Sequence, residues 1–178
     1  MGKKLNTGLA HGATASSQLS IENNEYDDKV RKLAEDIELE EGIRELERAH
    51  VKFTRDAVRF VTIDRTGQLV WLEDGNESAV LKHILYGSKE RRGHEDDFIK
   101  SHSVEKDNVV QYLKDVITYG DVEYCVIKVK NGREGLEKLY KYMDKYYMIC
   151  AIGMNGFLVS AYPISVGEAK TNIRRYKK

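Results

Sequence analysis

Residues 122–162 read VEYCVIKVKNGREGLEKLYKYMDKYYMICAIGMNGFLVSAY, and this stretch decides the fold. Short runs rich in Val, Ile and Tyr alternate there with the turn signals Asn131-Gly132 and Asn155-Gly156, a pattern typical of consecutive antiparallel strands. We expect strands at 122–130, 136–143, 145–152 and 157–162. The second run also fits a helix, and Pro163 ends the fourth because proline lacks the backbone N–H that a sheet requires.

Further elements precede this meander. Residues 58–72 predict a β-hairpin, because two apolar runs flank the turn Asp64-Arg65-Thr66-Gly67. Residues 78–86 predict one or two helical turns, and the polar residues 87–100 predict a loop. Ser103 predicts the N-cap of a helix that ends before Gly120. The buried face of that helix would be formed by Val109, Val110, Leu113, Val116 and Ile117.

The N-terminal part has a different character. Residues 1–22 are rich in Gly, Ala, Ser and Thr without any periodicity, which predicts a disordered tail. Residues 23–52 repeat apolar side chains every three or four positions and predict a helical arm, which Gly42 could divide in two. The apolar stripe of this arm would pack either on its own domain or on another subunit or partner.

The predicted fold class is α+β: a four-stranded antiparallel sheet with a packed helix, preceded by a β-hairpin and an N-terminal helical arm. Residues 55–166 form this domain, and residues 167–178 form a basic C-terminal tail. Charged residues make up 33% and hydrophobic residues 41% of the chain, as in ordinary globular domains. No apolar run is long enough to span a membrane. Cys125 and Cys150 lie in apolar runs and are predicted to be core residues.

Two histidines that flank a basic loop are the most informative feature for function. His83 and His94 enclose Lys89, Arg91 and Arg92. RNA cleavage without a metal needs a base, an acid and a cation near the phosphate, and the ordinary pKa of histidine suits both proton-transfer roles. The basic residues between them could bind the phosphate. The plain alternative is that both histidines are structural or exposed, and His102 is a third candidate.

The strands contribute a second group of candidates. Ser160 and Tyr162 alternate along the last strand and share one face, where their hydroxyls could bind a phosphate or orient a histidine. Lys128 and Lys130 share a face of the first strand of the meander and could contact RNA phosphates. A half-exposed edge strand and a solvated strand end explain these residues nearly as well. No ligand spacing or phosphate-binding motif predicts a metal or a cofactor.

Several short motifs occur in an order that resembles a known family. They are KHILYG at 82–87, Gly93-His94, then a helix, then a meander that ends in VSAYP at 159–163. Over about residues 78–165 the chain resembles the barnase–EndoU–colicin–RelE superfamily of ribonucleases, in the branch found in phage minor head proteins and bacterial polymorphic toxins. The resemblance implies metal-independent endoribonucleases with a helix packed on a four-stranded antiparallel sheet, many of which cut tRNA.

The resemblance also implies roles for individual residues. His83 and His94 would match the histidine motif of the family, Ser160 its hydroxyl position, and Tyr162 an adjacent phosphate or base contact. Lys128 or Lys130 would be the strand lysine that some branches have. We therefore expect an endoribonuclease in which His83 and His94 act as base and acid while the 2′-oxygen attacks, leaving a 2′,3′-cyclic phosphate.

The expected setting follows from the same resemblance. The partners would be RNA, with tRNA as one candidate, and an immunity protein or a phage capsid protein. The protein would act in the cytoplasm of a bacterial host cell, delivered there as a toxin or with a phage. The alternative is a phage accessory module that binds RNA or protein without catalysis.

Overall fold

A computed structural model describes residues 14–75, 80–88, 91–130 and 132–177. The predicted α+β class is confirmed, with five α-helices and antiparallel sheets among the described residues. The chain divides into two units, Met1–Glu40 and Glu41–Lys178. The second unit contains the hairpin, the meander and the residues that sequence analysis singles out for function.

Helix α1, Thr14–Arg48, supplies all of the described first unit and ends within the second. Residues 14–22 are helical, whereas the sequence predicted a disordered tail there. The helix can extend through them because no glycine or proline interrupts the chain from Thr14 to Glu41. In the first unit the apolar side chains of Val30, Leu33 and Ile37 are exposed. In the second unit the helical residues Ile43 and Leu46 are buried.

The sequence analysis allowed for a break at Gly42, but the helix is continuous through this residue. It lies against the hairpin instead, where a Cβ atom on Gly42 would come within 2.5 Å of the Val61 Cβ. The glycine therefore permits a close approach between the second-unit part of α1 and strand β1, Val58–Ile63. Strand β1 pairs antiparallel with β2, Leu69–Glu73, which confirms the predicted hairpin.

The segment after the hairpin contains more structure than its polar sequence predicts. Helix α2, Leu81–Tyr86, confirms the predicted helical turns, and the two-residue strands β3, Gly87–Ser88, and β4, Arg91–Arg92, follow it. Helix α3, Glu95–His102, replaces the predicted loop. Three acidic residues in its first turn favour the helix N-terminus electrostatically, and the fully buried Phe98 anchors it in the core.

Ser103 does not cap the next helix. It ends α3 in the left-handed conformation, with φ 54°. A short 3-10 turn, Lys106–Asn108, then leads into α4, Val109–Tyr119. The predicted inner face of α4 is confirmed, since Val109, Leu113, Val116 and Ile117 are buried.

The meander forms one antiparallel sheet in which each strand pairs with the next. Its strands are β5, Asp121–Lys130; β6, Arg133–Tyr142; β7, Lys145–Gly153; and β8, Leu158–Ile164. The second predicted run is thus a strand and not a helix. Strand β8 continues through Pro163, opposite Tyr147, because an edge strand has one side on which no N–H is needed. A parallel bridge between Trp71 and Phe157 extends the sheet beyond the predicted four strands, at the β8 side.

The two faces of this sheet are covered differently. The first face packs against the hairpin, α2, α3 and α4 in the main core. The second face packs against helix α5, Val166–Tyr176, through a smaller cluster formed by Tyr124, Leu139, Met148, Ile164 and Ala169. The predicted basic tail is therefore a packed helix through Tyr176. Its N-cap Ser165 accepts a hydrogen bond from the Glu168 N–H at 3.2 Å, a Ser-x-x-Glu signal that the sequence analysis missed.

A buried ion pair fixes the hairpin on the first face. The Asp64 carboxylate accepts the Lys138 ammonium at 2.5 Å and the Tyr140 hydroxyl at 2.7 Å. The N–H groups of Thr66 and Gln68 donate to its other oxygen, so one side chain closes the turn and binds the sheet. None of the helices that the structure describes combines the length and the apolar character that crossing a membrane requires.

Candidate active site

A row of polar side chains crosses the second face of the sheet, beside the apolar cluster under α5. Each strand supplies one member: Lys128 from β5, Glu137 from β6, Cys150 from β7 and Tyr162 from β8. His94, which precedes α3, adds a fifth member next to Tyr162. We call these five residues the polar row, because each contacts the next along the face.

His94 is held at one end of the polar row by two contacts. Its ring stacks on that of Tyr162, with centroids 4.8 Å apart and 24° between the planes. Its Nδ1 lies 2.8 Å from the Asp97 carboxylate, and both side chains are 32% exposed. The ring is therefore fixed in orientation and still reachable from solvent.

The charge of Asp97 determines which nitrogen of His94 is available. Burial alone would raise the pKa of the Asp97 carboxyl, but hydrogen bonds from His94 and Arg92 outweigh it and hold that pKa below its ordinary value. The carboxylate is thus ionised at neutral pH and can only accept, so Nδ1 of His94 donates to it. Nε2 is left as the nitrogen that could exchange a proton with a ligand.

Gly93 places His94 by a close contact with the end of α2. A Cβ atom at Gly93 would lie 2.0 Å from the Leu85 carbonyl oxygen and 2.5 Å from the Gly87 nitrogen. The His94 N–H also donates to the Ile84 carbonyl at 2.7 Å. The glycine before the histidine therefore lets the loop reach the backbone of α2, which packs beside β8.

The middle of the polar row consists of two groups that stay protonated. The Cys150 Sγ lies 3.7 Å from the Tyr162 hydroxyl and 3.8 Å from a Glu137 carboxylate oxygen. Burial is the main cause that raises the pKa of the Cys150 thiol, to about 11. Burial also raises the pKa of the Tyr162 hydroxyl. Neither group is a nucleophile at neutral pH, and the Tyr162 hydroxyl can donate a hydrogen bond.

Glu137 and Lys128 form the charged end of the polar row. The Glu137 side chain is 19% exposed; one of its oxygens lies 3.8 Å from the Lys128 Nζ and accepts the Tyr124 hydroxyl at 3.2 Å. Lys128 donates to the Tyr176 hydroxyl of α5 at 2.5 Å, and this bond is the main cause that raises its pKa. Lys128 is thus a cation at neutral pH whose position depends on α5.

Neither a model of a known protein family nor a curated protein matches this chain. Across the residues that the structure describes, no three His, Cys, Asp or Glu side chains group as metal ligands would. The polar row offers instead an imidazole, a carboxylate, a phenol and an ammonium on one face.

Three of the predicted site residues meet in the polar row: His94, Tyr162 and Lys128. Ser160 lies opposite Cys150 in the register of β7 and β8, and is half-buried. Arg92 is 66% exposed and binds Asp97, so it supports the carboxylate that orients His94. Lys89 lies outside the described residues, as do the side chains of Arg91, Lys130 and His102.

His83 lies apart from these contacts. It is half-buried on α2, its Nδ1 is buried without a hydrogen-bond partner, and none of the described hydrogen bonds or ring contacts joins it to the polar row. No described hydrogen bond or ring contact therefore joins the two histidines that the sequence analysis paired. The sequence analysis also missed Glu137 and Asp97. A carboxylate between Leu136 and Leu139 in an otherwise half-apolar strand was the available signal for Glu137.

Proposed function

We propose that this protein is a metal-independent endoribonuclease that cleaves RNA by attack of the 2′-hydroxyl on the adjacent phosphate. The observation that carries the proposal is the polar row, in which His94, Glu137 and Lys128 lie along one sheet face. These three groups match the acid, the base and the cation that such a reaction needs. The resemblance of residues 78–165 to the barnase–EndoU–colicin–RelE superfamily supports the same reaction.

The proposed reaction uses two members of the polar row, Glu137 and His94, for its two proton transfers. The Glu137 carboxylate takes the proton of the 2′-hydroxyl while the 2′-oxygen bonds to phosphorus. The bond from phosphorus to the 5′-oxygen breaks, and His94 gives its Nε2 proton to that oxygen. The products are a 2′,3′-cyclic phosphate and a 5′-hydroxyl, and a later proton exchange with water restores both groups.

Charge on the phosphate is stabilised by the remaining members of the polar row. Lys128 supplies a positive charge, and the Tyr162 hydroxyl supplies a hydrogen bond to a non-bridging oxygen. Asp97 orients the ring through Nδ1 and stabilises the imidazolium form of His94, in which Nε2 carries the proton that is transferred. Toxin or phage function, and tRNA as the substrate, rest on the family resemblance alone and are part of the proposal.

The test is cleavage of total tRNA and of a defined single-stranded RNA by the purified full chain in EDTA. The expected products carry 2′,3′-cyclic phosphate and 5′-hydroxyl ends. His94→Ala and Glu137→Gln should each lower the cleavage rate by about 10²- to 10⁴-fold. His83→Ala tests which residue is the base. If its cleavage rate falls as far as that of His94→Ala while Glu137→Gln remains active, the base is His83.

Matched controls separate chemistry from general damage. Glu134→Gln removes an exposed carboxylate from the same strand as Glu137. His50→Asn removes an exposed imidazole at a position with φ 53°, which asparagine adopts readily. Both controls should cleave at the wild-type rate. Intact RNA after incubation with the wild-type chain, or full activity in His94→Ala, would remove the proposal. RNA binding without new ends would favour a binding module.

A further inference from the structure

Helix α5 has two faces of different chemistry. Ala169, Ile173 and Tyr176 recur at spacings of four and three residues and pack on the second sheet face. Lys170, Arg174, Arg175 and Lys177 are exposed. We call these four residues the basic face. The only acidic residue of the helix is Glu168, in its first turn.

The basic face begins where the polar row ends. Tyr176 accepts the hydrogen bond from Lys128 at 2.5 Å, and the Lys128 ammonium lies 4.5 Å from the centre of the Tyr176 ring. The Arg175 guanidinium lies 5.9 Å from the centre of the same ring. A polymer that crosses Lys128 would therefore meet the last turn of α5 next.

Most cations of the basic face have no carboxylate partner among the described residues. Of these four residues only Lys177 forms a described ion pair, with Glu123 at 3.2 Å. For Lys170, Arg174 and Arg175, no described carboxylate lies within ion-pair distance. Some exposed cations elsewhere do have such a partner, as Arg59 has in Asp74 and Lys100 has in Asp96. An unneutralised basic stripe favours an anionic partner over a merely solvated face.

We infer that the basic face of α5 binds phosphates of the RNA strand on one side of the scissile bond. This inference rests on the proposed function and extends the polar row into a longer substrate-binding surface. Lys170, Arg174 and Lys177 lie at spacings of four and three residues, so they form one stripe about 10 Å long. Such a stripe would neutralise about two or three phosphates of a single strand.

The experiment compares two triple variants of the full chain. Lys170→Gln/Arg174→Gln/Arg175→Gln removes the unpaired cations, and glutamine keeps a helix propensity close to that of lysine and arginine. The matched control, Lys29→Gln/Lys32→Gln/Arg44→Gln, removes three exposed cations from α1. Binding of a fluorescent 2′-O-methyl RNA 12-mer is measured by anisotropy over a range of salt concentrations. This probe cannot be cleaved, because its 2′-oxygen carries no proton.

We expect the affinity for RNA to depend less steeply on salt concentration in the α5 variant alone. The slope of log affinity against log salt should become shallower by about 1.4 to 2.1, since about 0.7 is lost for each of the two or three phosphate contacts that the variant removes. The α1 control should keep the wild-type slope. Equal slopes in all three proteins, or an equal change in the α1 control, would overturn the inference and leave the basic face to another partner.

Cleavage assays distinguish this inference from the proposed function. A ribodinucleotide has only the scissile phosphate and therefore none for the basic face to bind. The α5 variant should cleave it at the wild-type rate, while the KM of this variant for a long RNA should rise. Equal KM values for the long RNA would count against the inference. If the wild-type chain cleaves neither substrate, the proposed reaction is wrong, and the anisotropy comparison still decides whether α5 binds RNA.

Discussion

The rings of His94 and Tyr162 stack with their centroids 4.8 Å apart, although 68 positions of sequence separate them. Tyr162 belongs to edge strand β8, whereas His94 lies in the bend before α3. The contact joins the helical side of the domain to the second face of the sheet. It is the relationship on which the orientation of the imidazole depends.

Tyr162 variants should separate the effect of the ring from that of the hydroxyl. Tyr162→Phe keeps the stacked ring and loses only the hydrogen bond, so the cleavage rate should fall by about 10²-fold. Tyr162→Leu also loses the stacking, which contributes about 0.5–1.5 kcal/mol, so its cleavage rate should fall further. Single-turnover rates with saturating enzyme give the measurement. Equal rates in the two variants would show that stacking does not orient His94.

Asp97→Asn should lower activity by about 10²-fold or more at neutral pH. The amide cannot supply the negative charge that holds the Nδ1 proton of His94 and stabilises the charged ring. Asp96→Asn is the matched control, because Asp96 is the neighbouring acid and binds Lys100 instead. The cleavage rates of both variants provide the comparison, and similar losses in the two would remove the special role of Asp97.

Gly93→Ala should destabilise the domain by about 2–4 kcal/mol, because the added Cβ meets backbone atoms that cannot move aside. The clash is with the Leu85 carbonyl, at 2.0 Å. Gly167→Ala is the control: its new Cβ would contact only the Ser165 Oγ, at 4.0 Å, and should leave stability unchanged or slightly raised. Urea unfolding measures both, and an unchanged midpoint for Gly93→Ala would contradict the close packing.

The Asp64–Lys138 pair predicts a specific pH dependence of stability. Burial acts to raise the pKa of Asp64, but hydrogen bonds from Lys138, Thr66, Tyr140 and the Gln68 backbone hold it below its ordinary value of 3.8. A lowered folded-state pKa stabilises the native state above pH 3.8. That stability is lost as the pH falls from 3.8 through the folded-state value.

The measurement is urea unfolding between pH 6 and pH 2. Asp64→Asn should be less stable than wild type at pH 6, and the difference should shrink below pH 3.8 as the wild-type carboxylate gains its proton. Lys138→Met should cost about 3–5 kcal/mol at pH 6, because it leaves a buried carboxylate without its cation. A pH-independent difference between wild type and Asp64→Asn would show that Asp64 does not titrate with folding.

Local signals predicted the hairpin and the meander correctly. Asp64 closes its turn with hydrogen bonds to residues two and four positions later, and Asn155-Gly156 marks a turn for the same local reason. Helix α5 was missed although Ser165 and Glu168 carried its cap signal, because its basic composition resembled a solvated tail. Helix α3 was missed because Phe98 is the single fully buried residue among its described side chains, and one such residue gives a weak helical period.

The candidate site was only partly accessible to such signals. His94, Tyr162 and Lys128 were chosen for their chemistry, and the fold brings them into one row. His83 was paired with His94 because the two are close in sequence, yet the described contacts do not join them. Glu137 was not selected because a carboxylate in a strand does not indicate a functional role until its neighbours on the adjacent strands are known.

The amino-acid sequence by itself determined which segments form strands and most of the helices, because periodicity, turn residues and caps act over a few positions. Only the tertiary structure decided which side chains meet. Glu137, Cys150 and Tyr162 are neighbours because hydrogen-bonded register aligns three strands, and His94 joins them because Gly93 allows its loop to touch α2. Register and packing depend on the whole folded core, so no local pattern could specify this row.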